Sequence, residues 1–144
     1  MSRSSETAET VATLMRAADL VRRQMNSVVE AHGLTLQQFN VLRILRGGGS
    51  DGVPTLEVAE RMIEKTPGIT RLLDRLEAKE LIRRQRCPHD RRQHLCWITA
   101  KGLAVLQKMD APIARTHEET LKGLRARDRA AFTRLLGAMH AAHE

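Results

Sequence analysis

Aromatic residues are almost absent from this sequence of 144 residues, which contains one Trp, two Phe and no Tyr. A core without many aromatic rings has to be built from Leu, Ile, Val, Ala and Met, and this favours helices packed on helices over a large sheet. Cysteine is scarce too. The two thiols, Cys87 and Cys96, do not make a disulfide framework.

Long apolar runs are also missing. No stretch approaches the roughly 20 apolar residues that a membrane-spanning helix needs. Residues 1–10 are polar and include two Glu, so they do not contain the apolar centre of a secretion signal. We therefore expect a cytoplasmic protein without a membrane partner.

Positive charge is what the sequence has in excess, with a formal net charge of +7. Such a balance suits a polyanionic partner, either nucleic acid or an anionic surface, although some basic proteins have no such partner. The position of the charge favours a partner. Residues 83–92 contain five Arg and a single acid, Asp90.

Apolar residues recur at helical spacing from Ala8 to about Ala31, and Gly33 is expected to end this helix. A helix of about 24 residues is roughly 36 Å long. An apolar stripe of that length rarely buries itself in a small monomer, so a dimer interface is its natural use. We interpret residues 1–34 as an N-terminal dimerisation helix.

A second helix is predicted to begin after Thr35, because Thr35 and Gln38 have the spacing of a capping box. The glycine-rich run 47–52 should end it. This run is not a phosphate-binding loop, since no Gly-Lys-Ser/Thr follows it.

Two short helices joined by a tight turn are predicted next, and they form a helix-turn-helix pattern. The first is expected from Leu56 to about Glu64 with Thr55 as its N-cap, and with Leu56 among its buried residues. The second is expected from Pro67 to about Lys79 with Thr66 as its N-cap, since proline suits the first helical position.

The periodicity changes after Leu81. Residues 81–87 and 94–99 read as two strands separated by a turn at 88–93, with Arg91 and Arg92 at the tip. A β-hairpin directly after a helix-turn-helix is a wing. Residues 35–99 are therefore predicted to be a winged helix-turn-helix DNA-binding domain.

Two further helices are predicted in residues 100–144, the C-terminal dimerisation region of one overall compact domain. The first begins after Thr99, and Pro112 is expected to kink or split it. The second begins near Asp128. The fold class is thus mainly α with a small β-hairpin wing.

The motifs of the central region resemble the MarR family of bacterial regulators. The resemblance rests on the run Ile-Thr-Arg-Leu-Leu-Asp-Arg-Leu-Glu at 69–77, on Leu81-Ile82, on Asp90-Arg91-Arg92, and on Ile98-Thr99 with Gly102. The usual family string has Leu where this chain has Ile98. The motifs cover about residues 55–102, and the lengths of the flanking helices also fit.

The resemblance implies a homodimer whose first and last helices interlock and which presents two winged helix-turn-helix units to a pseudo-palindromic operator in double-stranded DNA. It implies a repressor released by a small-molecule effector or by oxidation. An architectural DNA-binding protein of the same fold is the alternative. A helical interaction module with an acidic partner is the third class.

The helix predicted at 66–79 is expected to enter the major groove. Thr66, Thr70 and Arg71 are the candidates for base-edge or adjacent phosphate contacts. Pro67 and Gly68 are small enough for close approach. One turn beyond Arg71, Arg75 should meet phosphate, unless it pairs with Asp74 or Glu77 or is simply solvated.

In the family pattern the wing carries Asp-x-Arg, so that Asp90 would brace the hairpin and Arg92 would enter the minor groove. The remaining arginines of the hairpin would contact phosphates or be solvated. They are Arg83, Arg84, Arg86 and Arg91.

An effector pocket is implied only by the resemblance, between the helical dimer base and the winged domains. The candidate lining residues are Met25, Val29, His32, Phe39 and Arg43, all of which are also explained as core residues. Arg22 and Arg23 would pair an anionic ligand or be solvated.

The sequence gives little indication of metal binding, redox chemistry or catalysis. His140 and His143 have helical ligand spacing but no accompanying cluster, so no metal and no cofactor is expected. A redox role for Cys87 and Cys96 is an open alternative. The sequence contains no arrangement of catalytic residues, and an enzyme is not expected.

Overall fold

The computed structural model describes residues 2–87 and 89–144, and only the backbone at Arg91 and Arg92. A small antiparallel sheet with the strand order β1-β3-β2 lies among helices, which confirms the predicted fold class. The elements are α1 (Arg3–Glu30), α2 (Leu36–Gly48), a 3-10 turn (Gly49–Asp51), β1 (Val53–Pro54), α3 (Thr55–Arg61), α4 (Ile69–Ala78), β2 (Ile82–Cys87), β3 (Asp90–Ile98), α5 (Ala100–Thr120) and α6 (Ala126–Ala141).

Both N-terminal helices begin at hydroxyl caps. The Ser2 hydroxyl accepts a hydrogen bond from the Ser5 N–H at 3.2 Å, so α1 begins at Arg3 and not at Ala8. The predicted capping box of α2 is confirmed. The Gln38 N–H donates to the Thr35 hydroxyl and the Thr35 N–H donates to the Gln38 side-chain oxygen, both at 3.1 Å.

The core is aliphatic, as the composition predicts. The central helix α2 contacts α1, α3, α4, α5 and β3, so it links the helical base to the sheet. Among the described residues, the largest fully buried side chains are Leu42, Leu45, Leu73, Leu76, Leu106, Met109, Val29, Val41, Val58 and Cys96. Burial of each large aliphatic side chain contributes about 1.5–3 kcal/mol before the entropy of ordering is subtracted.

The helix-turn-helix is present, but its first helix differs from the prediction. Helix α3 starts at Thr55, because the Thr55 hydroxyl donates to the His94 carbonyl oxygen of β3 at 3.3 Å instead of capping the helix. It ends at Arg61. The prediction that Leu56 is buried is wrong, since Leu56 is 71% exposed.

The second helix, α4, begins two residues later than the expected start at Pro67. Gly68 is its N-cap and has a φ of 98°, a conformation that glycine adopts without strain. Thr66 does not cap the helix, because its hydroxyl donates to the Glu64 carbonyl oxygen at 3.2 Å. The residues expected to begin the recognition helix therefore form the turn before it.

The wing is a β-hairpin with a longer second strand than expected. Strand β3 begins at Asp90 and not at His94, so Asp90, Arg91 and Arg92 belong to the strand and not to the turn. The sequence did not predict β1, whose two residues pair with β3 at Cys96 and Leu95. A strand this short has no periodicity to detect.

Pro112 does not split α5, so this half of the prediction is wrong. Pro112 lies inside a continuous helix, between Met109 and Ile113, which are both buried. Proline removes one backbone hydrogen bond, and the apolar packing on both sides helps to keep this segment helical. The Pro112 carbonyl oxygen accepts a hydrogen bond from the Thr116 hydroxyl at 2.9 Å.

Apolar side chains remain exposed on α1 and α6 in the single chain. In α1, Met25 and Val29 are buried, whereas Val11 and Met15 are 50% and 67% exposed. None of the residues of α6 is buried. Among the described residues, no helix is both long and apolar enough to cross a bilayer.

Gly102 closes the junction between the wing and α5. Its N–H donates to the Thr99 hydroxyl at 3.1 Å, and a Cβ added there would overlap the Leu81 carbonyl oxygen and lie 2.7 Å from Ile98 Cγ1. We expect Gly102→Ala to lower the free energy of unfolding by about 1–3 kcal/mol, as for an overpacked core. Urea denaturation would measure the change.

The matched control is Gly47→Ala in α2, where the nearest atom to an added Cβ outside the helix's own backbone is an Arg61 guanidinium nitrogen at 4.0 Å. This variant should be more stable by about 0.5–1 kcal/mol, since alanine favours the helix. If both variants were stabilised equally, the close packing of Gly102 between the wing and α5 would not contribute to the free energy of unfolding.

Candidate DNA-binding surface and effector cavity

Helix α4 has one apolar and one polar side. Its polar side exposes Thr70, Arg71 and Arg75 to solvent. The apolar side packs into the core through Leu72, Leu73 and Leu76. This burial fixes the rotation of the helix about its axis, so the two arginines must point away from the protein.

Arg71 and Arg75 have no ion pair among the side chains that the structure describes. The sequence left open a pair of Arg75 with Asp74 or Glu77, and both of these acids instead pair with Arg84. The exposed guanidinium groups on α4 are therefore available to a polyanion.

The turn before α4 is accessible. Pro67 and Gly68 are exposed and Thr66 is half-buried. The Gly68 carbonyl oxygen accepts from the Leu72 N–H at 3.2 Å, so the helix starts at Ile69, with small residues directly before it. The free N–H groups of a helix start suit a phosphate group.

Some of the wing residues that the sequence predicted to contact DNA lie at the outer end of the β2–β3 hairpin. Arg86 is exposed and pairs with His94, and the register becomes irregular between Arg86 and Cys87. Asp90 opposes Cys87 and is exposed. The predicted contacts of the Arg91 and Arg92 side chains lie outside the described residues.

Arg84 is turned inward and does not lie on the open surface. Its side chain is 18% exposed and its guanidinium donates to Asp74 and to Glu77 of α4. Arg84 was expected to contact phosphate or to be solvated, and the structure instead places it in an internal ion-pair cluster. Arg84 shares a face of β2 with buried Ile82, and this alternation is the signal that could have predicted its direction.

Arg83 stacks on the only tryptophan, a contact that the sequence reasoning missed. Its guanidinium carbon lies 4.4 Å from the centre of the Trp97 ring, the position of a cation–π contact. The Trp97 indole N–H donates to the Ser50 carbonyl oxygen at 3.0 Å. The hairpin base is thereby attached to the glycine-rich turn.

A cavity of about 590 Å³ lies between the helical base and the helix-turn-helix. Of the predicted effector residues, Met25, Phe39 and Arg43 line it. Val29 and His32 are not among its lining residues, because Val29 is fully buried in the core and His32 Nδ1 lies 2.9 Å from the Val28 carbonyl oxygen.

The cavity wall includes residues from α5 and α6 that sequence reasoning did not name, among them His117 and Phe132. Its wall is mainly apolar with a few polar groups, as is usual for a small-molecule site. Arg43 lies over the Phe39 ring at 5.8 Å. Arg22 pairs with Glu64 at 2.5 Å, and both residues belong to the lining.

The two cysteines do not face each other, since β2 pairs Cys87 with Asp90 and Arg84 with Cys96. Burial raises the pKa of the Cys96 thiol, and the Thr55 hydroxyl lies 3.7 Å from its sulfur. Cys96 is thus a small core residue. Among the described residues, no group of three or more His, Cys, Asp or Glu is placed to bind a metal.

A helix-turn-helix followed by a β-hairpin on a helical base defines a winged helix-turn-helix protein. The family model of the MarR family matches residues 34–94. A MarR transcription factor from Planctomyces limnophilus is 33% identical, with a TM-score of 0.73 over 92% of this chain and 96% of that chain. The chain belongs to the MarR family.

Two further proteins are similar. The HTH-type transcriptional regulator MhqR of Bacillus subtilis (strain 168) is 34% identical over 93 residues, 65% of this chain, and the match spans 63% of the length of MhqR. BpsR of Bordetella bronchiseptica is 26% identical, with a TM-score of 0.82 over 92% of this chain and 98% of that chain. Its structure concerns regulation of DNA binding by 6-hydroxynicotinic acid.

Proposed function

We propose that this chain is a sequence-specific transcriptional regulator that binds a pseudo-palindromic operator as a homodimer. The observation that carries the proposal is the exposed side of α4. Arg71 and Arg75 project from it without an internal ion pair among the described side chains. An arginine on such a helix reads guanine O6 and N7 in the major groove.

The apolar surface of the helical base supports homodimerisation. Leu135 and Met139 of α6 are 57% and 49% exposed, and Val11 and Met15 of α1 are exposed as well. Exposed apolar surface of this extent on two helices is typical of a protein interface. A two-fold dimer would present two copies of α4 to two half-sites, about one helical turn of DNA apart.

Selection of duplexes from random DNA tests this function. We expect the wild-type protein to enrich one inverted repeat. Repeating the selection with Arg71→Ala should relax the preference at one position in each half-site, because a bidentate contact discriminates by about 1–3 kcal/mol. Enrichment of no sequence, with uniform coverage of duplex DNA, would favour the architectural alternative. Absence of duplex binding would favour the interaction module.

We further propose that the cavity binds a small aromatic acid that releases the protein from its operator, as a repressor requires. The cavity has the aromatic ring of Phe39, the exposed cation of Arg43 and a volume of about 590 Å³. A charged hydrogen bond to the ligand carboxylate contributes about 1.5–3 kcal/mol. The effect of 6-hydroxynicotinic acid on the DNA binding of BpsR supports this ligand class.

Arg43→Ala should raise the 6-hydroxynicotinic acid concentration needed for half-maximal release by about tenfold or more, without changing operator affinity in its absence. Fluorescence anisotropy of the selected duplex would measure this. The control is Arg46→Ala on the same helix, since Arg46 pairs with Asp110 at 3.1 Å and does not line the cavity. Equal sensitivity of both variants to the acid would contradict the site.

A further inference from the structure

The recognition helix and the wing are joined by a cluster of one cation and two acids. Arg84 of β2 extends towards α4, where its Nη2 donates to Glu77 Oε1 at 3.0 Å and also to Asp74 Oδ1. Asp74 and Glu77 are three residues apart, so they lie on the same side of the helix. The arginine thus lies between two acids of a single helical face.

Glu77 holds the strand by its backbone as well. The Arg84 backbone N–H donates to Glu77 Oε2 at 3.1 Å, while Oε1 accepts from the guanidinium. One carboxylate therefore fixes both the position of the strand and the direction of its side chain. Two hydrogen bonds of this kind define an orientation, which a single ion pair does not.

Burial of its arginine makes this cluster different from a surface ion pair, although the Asp74 and Glu77 side chains are 57% and 42% exposed. The Arg84 side chain is 18% exposed, whereas the side chains of Arg22 and Arg23 in their own ion pairs are 52% and 68% exposed. Burial alone lowers the pKa of Arg84, but the hydrogen bonds that it donates to Asp74 and Glu77, together with the charges of these acids, more than offset this, so its pKa lies above the ordinary value. The guanidinium stays charged and committed to α4.

Two acids on a helix that approaches DNA are unfavourable for binding unless they serve another purpose. Each adds a negative charge beside a polyanion and weakens the attraction that the basic surface provides. The contacts of Glu77 supply that purpose, because they are directed at the wing.

We propose that Glu77 and Arg84 are positioning residues that set the orientation of the wing relative to α4, so that DNA binding requires a negative charge at position 77. This inference rests on the proposed function. It also replaces the expectation that Arg84 contacts phosphate. The wing and the recognition helix then reach the major and minor grooves as one unit.

The two roles of Arg84 predict opposite signs for Glu77→Gln. If Arg84 contacts phosphate, loss of the Glu77 charge frees it and DNA binding becomes tighter. If the cluster positions the wing, DNA binding becomes weaker. The amide of glutamine has one acceptor oxygen, and its NH2 group meets a donor, either the Arg84 backbone N–H or the guanidinium.

The experiment uses the full chain and the duplex enriched by the wild-type protein. We expect Glu77→Gln to weaken operator binding by about tenfold, the usual effect of one charged hydrogen bond. Arg84→Lys keeps the charge but has no planar fork, and it should weaken binding too. The control is Glu80→Gln, which removes an equal charge from an 84% exposed side chain and should bind as the wild type or slightly tighter.

Positioning is separated from general destabilisation by a double-mutant cycle with Arg92→Ala. If the wing is already misplaced in Glu77→Gln, the additional loss caused by Arg92→Ala should be much smaller than in the wild type. Hydroxyl-radical footprints should lose protection on the flanks of the site while the centre of each half-site stays protected. Thermal unfolding would confirm that each variant is folded at the assay temperature.

Three results would overturn the inference. The first is tighter operator binding by Glu77→Gln. The second is an equal effect of Arg92→Ala in both backgrounds. The third is a loss in Glu80→Gln as large as that in Glu77→Gln. Failure of the proposed function is distinct from these, because the wild-type protein would then enrich no duplex at all.

Discussion

Leu135→Arg should convert the protein into a monomer and reduce operator affinity by about 100-fold or more. Leu135 is 57% exposed on α6, and an arginine there would bury an unpaired charge in the proposed interface. Two linked half-site contacts gain about 10²–10⁴-fold over one contact, and a monomer loses this advantage. Sedimentation equilibrium would measure the assembly state, and fluorescence anisotropy the affinity.

Ala130→Arg is the matched control for the dimer. It adds the same side chain and the same charge on α6, at an exposed position about 140° around the helix from Leu135. This variant should remain a dimer and keep its operator affinity. The added charge in Leu135→Arg favours DNA, so a loss of affinity would oppose simple electrostatics. A dimeric Leu135→Arg protein would place the interface elsewhere.

Arg92→Ala should weaken operator binding by about tenfold and flatten its salt dependence by about one unit in log Kd against log salt. Each phosphate charge neutralised by a protein cation releases condensed counterion, which sets the slope. The backbone of Arg92 belongs to β3, two residues beyond its start at Asp90. A guanidinium in a narrow minor groove also gains from the concentrated negative potential.

The measurement is operator affinity between 50 and 200 mM salt, about the range in which such slopes are resolved. Arg127→Ala on α6 removes the same charge from an exposed position outside the winged domain and is the control. Its slope should match the wild type. An unchanged slope and affinity in Arg92→Ala would remove this residue from the interface.

Local signals in the sequence were sufficient for much of the fold. The capping box of Thr35 and Gln38 predicted the start of α2, because its bonds join residues three positions apart. The hairpin followed from its strand-forming residues. The predicted boundaries of helices and strands were wrong where contacts between residues distant in the sequence determine them. Thr55 looks like a cap, yet its hydroxyl bonds to His94, 39 residues away.

The site was predicted less completely for the same reason. The exposure of Arg71 follows from helical spacing against the buried leucines of α4, and it could be read from sequence. The inward turn of Arg84 depends on the packing of α4 against β2. The cavity wall includes Met25, His117 and Phe132, which no local pattern connects. Pro112 illustrates the opposite case, in which packing overrides a strong local signal.

The contact between Trp97, Arg83 and Ser50 makes one joint of the molecule directly observable. The chain has a single indole, so its intrinsic fluorescence originates at the base of the hairpin and nowhere else. The stacked Arg83 belongs to the hairpin and moves with the ring, whereas the hydrogen bond from the indole N–H to Ser50 joins the hairpin to the glycine-rich turn, so emission reports on this bond when the hairpin moves against the turn. The unlabelled protein thus carries its own optical probe of wing motion, with no background from other tryptophans.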